Sequence, residues 1–243
     1  MATKENIHSI KTIARMAGVL YLIIIVFAGF SQGYVRSTLI VPGDAATTAN
    51  NIMASESLFR IGFVSDLIAF LSDLVVAVLL YVLLRPVSKT LSLIAASLRL
   101  VAHPAIASLN LLNHFMALLL VSGADYLTVF EPDQVYALVL FFLNAHTYGY
   151  LIAGVFFGLH CLVLGYLLFK SGFFPKFLGV LLVIASAGYL MESFGNFLFP
   201  GYEALLASIV GWSAGIAEVL LCLWLLVKGV NVEKWEKRVR EFA

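Results

Sequence analysis

The chain is predicted to be all-α: a polytopic integral membrane bundle of six transmembrane helices, with both termini in the cytoplasm. Three observations predict it. Of the 243 residues, 62% are hydrophobic and only 12% are charged, whereas a soluble domain carries about 25% charge. A soluble globule needs a polar surface, so a lipid-facing surface explains the missing charge. Polar breaks then divide the chain into six apolar runs, each long enough for the ~20 residues that a span requires. Finally, basic residues gather at alternate breaks, as the positive-inside rule demands.

Lys4, Lys11 and Arg15 precede the first run, Ile13 to about Phe30. No small-x-small cleavage site follows, so the run is expected to remain as an anchor rather than be removed as a signal peptide. The six spans are placed at 12–34, 57–84, 89–121, 134–169, 174–198 and 204–228. The third and fourth are longer than a bilayer needs and must tilt, kink or protrude. Pro104 supplies a kink in the third, because it lacks an N–H and clashes with the carbonyl of Leu100. The loop between the first two spans reads VPGDAATTANNIMASE. Pro42-Gly43 makes a turn, and Asp44 is a good N-cap for a short helix through Met53. With Arg60, this loop is a candidate lid over an external opening. After a transmembrane domain over 1–231, residues 232–243 form a separate tail. Val232, Trp235, Val239 and Phe242 share a helical face flanked by Lys234, Lys237, Arg238 and Arg240, the pattern of a short helix lying on an anionic inner leaflet.

Loop charge sets the orientation. Lys4, Lys11, Arg15, Arg85, Lys89, Lys170, Lys176, Lys228 and the tail bases fall on one side. Arg36, Arg60 and the acids Asp44, Asp125, Glu131, Asp133 and Glu203 fall on the other. This places the chain in the cytoplasmic (inner) membrane as a multi-pass protein with N-in/C-in topology. A net charge of +1 gives no field to attract nucleic acid. Cys161 and Cys222 sit inside apolar runs, as buried thiols rather than a disulfide framework.

Ionisable groups within spans are expensive and mark function by default. Here they are Asp66 and Asp73 in the second span, Arg99, His103 and His114 in the third, His146 and His160 in the fourth, Glu192 in the fifth and Glu218 in the sixth. At about 100° per residue, Asp66 and Asp73 differ by ~20°, Arg99, His103, Asn110 and His114 fall within ~60°, and His146 and His160 within ~40°. Such alignment on each helix is what a central polar cavity would produce. Counted from the basic ends at ~1.5 Å per residue, Asp73, Arg99, His103, His160 and Glu218 lie ~15–21 Å deep, near the centre of a ~30 Å hydrocarbon layer. Glu192, Asp66, His114 and His146 form a second layer towards the other side. Arg99 has Glu218 and Asp73 as candidate counter-ions, since a buried charge left unpaired is costly. Gly154/Gly158 and Gly211/Gly215 each make G-x-x-x-G, a close-packing motif. Glu218 shares the Gly211 face and should look into a tight helix contact, whereas His160 points away from the Gly154–Gly158 face.

The segments GDAATTANNIMASESLFRIG (43–62), FFGLHCLVLGYLLFKSGFFPKFLG (156–179) and GYLMESFGNFLFP (188–200) resemble the bacterial and archaeal membrane family described as domain of unknown function 4386. The resemblance runs from about Ile13 to Asn231. It implies counterparts for Asp44, Arg60, Arg99, His160, Glu192 and Glu218, and no particular reaction.

Three function classes follow from the residues. In the first, Asp73, Arg99, His103, His160, Glu192 and Glu218 bind or translocate a small ligand, with Arg99 meeting an anionic group or balancing the acids and His160 as a protonation switch. The absence of any repeat relating the two halves of the chain counts against alternating access. In the second, His103, His160, Glu218 and Asp73 hold a zinc or iron ion and act on a lipid or small amphiphile. No compact metal motif is present, so these ligands would have to converge from separate helices. In the third, His103 with His160, or His114 with His146, ligate haem for redox chemistry. The binding cavity is the preferred class, with a small-molecule or lipid ligand and the bilayer as partners and no cofactor assigned.

Overall fold

The computed structural model describes residues 4–242, and the side chains of residues 10–241. Lys4 and Phe242 have side chains outside that range. The described residues are helical, without strands. Helix α1 (Lys4–Ala28) runs through a π-helical stretch, Gly29–Arg36, into a final turn, α2 (Ser37–Leu39). A loop helix, α3 (Ala45–Ala54), leads into α4 (Glu56–Leu84). Helix α5 (Lys89–Leu100) is joined to α6 (Ser108–Leu120) by a second π-helical stretch, Val101–Ala107. Then come α7 (Pro132–Ser171), α8 (Lys176–Leu198), α9 (Glu203–Val227) and the tail helix α10 (Val232–Phe242). Six helical stretches are long and apolar enough to cross a membrane: Ile10–Leu39, Glu56–Leu84, Lys89–Leu120, Pro132–Ser171, Lys176–Leu198 and Glu203–Val227. They match the expected spans to within five residues at each end.

Only helices close all their backbone hydrogen bonds within one segment, which is why the hydrocarbon layer selects them. Their ends carry ordinary stop and start signals. Asp44 caps α3 by accepting from Thr47 N at 2.9 Å. Ser88 caps α5 through Leu91 N at 3.3 Å. Gly172 ends α7 at φ +75°, a left-handed position that favours glycine. Pro104 lies within the second π stretch. Its ring removes one donor and pushes on the preceding turn, and the helix absorbs this by widening rather than breaking.

Consecutive spans run antiparallel, so one end of the bundle collects Lys11, Arg15, Arg85, Lys89, Lys170, Lys176 and Lys228. We call it the basic end, and the opposite one the acidic end. Helix α7, with 40 residues, is ~60 Å long and contacts α3, α5, α6 and α8. It packs on α8 through glycine. A Cβ on Gly165 would lie 2.7 Å from Gly179 O, one on Gly158 3.0 Å from Leu190, and one on Gly154 2.6 Å from Ser193 Oγ. The main apolar core, including Tyr21, Leu83, Leu164, Leu182 and Leu225, fills the half of the bundle towards the basic end. Helix α10 forms over Val232–Phe242, and Val232 and Trp235 of its apolar face pack on the bundle. Trp235 packs against that core and its Nε1–H donates to Leu83 O at 2.8 Å. That carbonyl belongs to the last turn of α4, where no helical donor remains to satisfy it.

Candidate functional site

Helix α4 is largely apolar beyond its first two turns, and its two carboxylates there, Asp66 and Asp73, are buried. Asp73 meets the α5 end. Arg99 Nε donates to its Oδ1 at 2.8 Å, Arg99 Nη2 binds the same oxygen, and His103 Nδ1 donates to Oδ2 at 3.1 Å. Arg99 is 1% exposed and its guanidinium lies between two rings, 4.8 Å from the Tyr21 centroid and 5.1 Å from that of Phe157. Its Nη1 donates to His160 Nε2 at 3.2 Å and reaches Tyr21 Oη at 3.4 Å. Arg99 thus chooses Asp73, not Glu218, as its counter-ion.

His160 is oriented by both ring nitrogens. Nδ1 faces Ala95 O at 2.8 Å, and a carbonyl only accepts, so Nδ1 carries the proton. Nε2 faces the guanidinium, which only donates, so Nε2 presents its lone pair. Those contacts leave no free nitrogen for a proton to switch or a metal to bind. The expected metal set of His103, His160, Glu218 and Asp73 does not converge. Among the described residues, no three His, Cys, Asp or Glu side chains gather where they could hold an ion. The haem layout fails on geometry as well. His114 is stacked on Phe59 at 4.0 Å and meets His146 edge-on at 5.5 Å, with no slot between them. His103 and His160 both pack on Phe157 instead.

Glu218, on α9, has a different environment. Tyr189 Oη donates to its Oε1 at 2.5 Å and Tyr21 Oη approaches Oε2 at 3.5 Å. Among the described residues no Lys, Arg or His forms an ion pair with Glu218 or with Glu192. Both line a cavity of about 700 Å³ whose wall also includes Asp73, Arg99 and His103. Five of the six candidate ligand-binding residues therefore border one space. His160 does not; it stands behind Arg99, beside a void of about 10 Å³.

The cavity wall corrects one expectation about glycine. Gly154 and Gly158 do mediate close packing, but a Cβ at Gly211 or Gly215 would meet no atom within 4 Å. These two line the cavity instead, so Glu218 looks into open space rather than a tight helix contact. The α1–α9 interface explains it. Near the basic end the helices touch: a Cβ on Gly18 would lie 2.7 Å from Leu226 N, and Cys222 Sγ is 3.5 Å from Gly18 O. Past Ala28, the π-helical stretch packs chiefly on α4, and Gly29, Gly211 and Gly215 are exposed.

The expected lid residues lie elsewhere. Arg60 pairs with Glu56 at 2.6 Å on the surface. Asp44 is exposed, and Thr47's amide and hydroxyl hold its carboxyl below the ordinary aspartate range. Both side chains are committed to helix starts and neither borders the cavity. The loop helix α3 instead covers a small core of Val35, Ile52, Phe59 and Leu143.

Several site residues were not singled out in the sequence. Arg36 turns back along the π stretch to form an ion pair with Asp66, which also accepts from Ser31 Oγ at 2.9 Å. Tyr21 and Tyr189 hold Glu218. Tyrosine is common near membrane interfaces, so neither carried a signal; their depth within a span could have supplied one. His146 Nδ1 donates to Asn110 O at 3.0 Å, leaving Nε2 as an acceptor without a partner.

The family described as "Domain of unknown function (DUF4386)" matches residues 16–229, and the chain belongs to it. A relative from Archaeoglobus fulgidus, described as an uncharacterized protein, is 34% identical over 159 residues, covering 65% of this chain and 76% of that one. No solved structure matches.

Proposed function

We propose that this multi-pass membrane protein binds a small ligand in its central cavity, with its basic end in the cytoplasm and the cavity in the half of the bilayer facing outwards. The observation that carries this reading is Glu218, a mid-span carboxylate that lines a cavity of about 700 Å³ without a cationic partner. Burying an ionisable group this way is costly, and a structural role would have been served by pairing it, as Asp73 is paired. Binding, with or without translocation, uses what the cavity offers. Its mouth is bordered by glycines rather than packed side chains, and its wall carries polar groups from Arg36 and Glu192 to Arg99 and Glu218. The metal and haem readings have no converging donor set behind them.

Native mass spectrometry of the full chain released from nanodiscs tests the reading. The panel is decylamine, decanoate and decanol, which share an apolar tail and differ in head group. At least one should form a saturable 1:1 adduct that is lost in Gly215→Leu, whose side chain enters the cavity mouth without meeting packed atoms. If no member binds saturably, the cavity is not a ligand site.

A further inference from the structure

The geometry points to a lipophilic primary ammonium ion as the ligand, admitted from the bilayer between α1 and α9. This rests on the cavity being a binding site and adds the ligand's chemistry and its route. The charges facing the cavity are unbalanced in one direction. Its two cations are paired already, Arg99 with Asp73 and Arg36 with Asp66, although Arg36 Nε has no acceptor of its own. Its carboxylates Glu192 and Glu218 lack cations. His146, 3% exposed, borders the same cavity, but its unpartnered Nε2 is itself buried and does not enter the balance. The unmet demand is for positive charge. An anionic head group would face two free carboxylates and no free cation. A neutral alcohol could donate only one hydrogen. An –NH₃⁺ group supplies three donors and the charge.

The route follows from the same pair of helices. A side chain larger than hydrogen at Gly29, Gly211 or Gly215 would stand in the gap, and at each a Cβ meets no atom within 4 Å. The gap closes below Glu218, where Tyr21 and Tyr189 hold the carboxylate and Gly18 brings α1 onto α9. An amphiphile entering head first would stop with its head at Glu218 and its tail towards the gap.

The experiment uses the full chain in nanodiscs with decylamine, decyltrimethylammonium, decanoate and decanol as probes, read as dissociation constants by native mass spectrometry. Decylamine should bind about 10-fold or more tightly than decanoate or decanol, because hydrogen bonds to charged groups are the stronger kind. Decyltrimethylammonium keeps the charge but has no N–H, and should bind more weakly than decylamine. Glu218→Gln retains an acceptor for Tyr189 and should fold, but weaken decylamine about 30-fold or more, the scale for removing one partner of a buried charge pair. Gly215→Leu should block it. If decanoate or decanol binds in a Gly215-dependent manner and decylamine does not, the ammonium assignment is overturned while the binding cavity stands. If decylamine binds equally to wild type, Glu218→Gln and Gly215→Leu, both the assignment and the route are wrong. If no probe binds, the underlying reading falls with them.

Discussion

Helices α1 and α9 meet differently at their two ends, although both ends are built with glycine. Towards the basic end, Gly18 is a contact residue: a Cβ there would strike the Leu226 backbone at 2.7 Å. Towards the acidic end, Gly29, Gly211 and Gly215 touch nothing and border the cavity. Two carboxylates that border this cavity differ in a similar way. Asp73 is held by Arg99 and His103, whereas Glu218 has two tyrosine hydroxyls and no cation. A residue type therefore does not reveal its role inside a bilayer. Glycine can seal a helix pair or leave it open, and a buried acid can brace the bundle or stay available. The partner set decides which.

The largest expected effect lies at the braced carboxylate. Arg99→Met leaves Asp73 charged and buried, and should cost about 3–5 kcal/mol of stability, as breaking a buried pair does. Asp73→Asn alone should cost a similar amount. The double change Asp73→Asn/Arg99→Met should recover much of the loss, because neither charge is then stranded. Glu218→Gln should cost less than about 1.5 kcal/mol, within the range of a single hydrogen bond. Unfolding of all four proteins in one detergent measures these. Equal losses for Arg99→Met and Glu218→Gln would erase the distinction between the two carboxylates.

The glycines provide the next test. Gly18→Leu must push α1 off α9 and should cost about 1–3 kcal/mol or more, the usual scale of overpacking. Gly215→Leu adds a side chain where none is opposed, and its stability should stay within about 0.5 kcal/mol of wild type. Comparable destabilisation by both would show that the gap is closed in the membrane.

His160 should rank just below Gly18. It is wedged between Ala95 O and Arg99, and its loss leaves a buried guanidinium donor without that partner. His160→Ala should therefore cost about 1–3 kcal/mol. Because the ring stands behind Arg99 rather than in the cavity wall, binding of decylamine should change by less than about threefold once unfolded protein is accounted for, a difference below ~0.7 kcal/mol. Abolished binding in a folded His160→Ala protein would place it in the site after all.

Much of this organisation was legible in the sequence. The spans were, because lipid imposes length and apolarity on every helix that crosses it. A shared depth for Asp73, Arg99, His103, His160 and Glu218 could be counted along each helix from its basic end, but not which of them would border one cavity: Asp73, Arg99, His103 and Glu218 do, and His160 does not. Pairing was not legible. Arg99 had two acids at similar depth, and only the order of helices in the bundle selects Asp73. Nor was the outer pair Arg36–Asp66, since Arg36 looked like a helix-end charge until the π stretch turned it inwards. The second glycine motif misled for a similar reason: G-x-x-x-G permits close approach, but whether a neighbour comes close is settled by the neighbour. Asp44 and Arg60 stood out for their chemistry, and that chemistry is spent on capping and on an i,i+4 pair.

The smallest expected effect concerns how the sealed end is held. Trp235 spans the junction between tail and bundle, with its ring against the main core and its indole N–H on Leu83 O. Trp235→Phe keeps most of the apolar contact and removes the donor, so it isolates the hydrogen bond. The Leu83 carbonyl lies in the last turn of α4 and would be left without this donor, at a cost of about 0.5–1.5 kcal/mol. Trp235→Ala removes the ring as well and should cost more than Trp235→Phe, though less than a fully buried aromatic because the ring is only part-buried. Neither change should alter decylamine binding, since α10 meets the bundle at its basic end and the cavity opens in the other half. If Trp235→Phe is silent and Trp235→Ala costs nothing measurable, α10 is not docked and its apolar face is free for lipid. If either weakens binding as much as Glu218→Gln does, the two ends of the bundle are coupled and the sealed half takes part in the site.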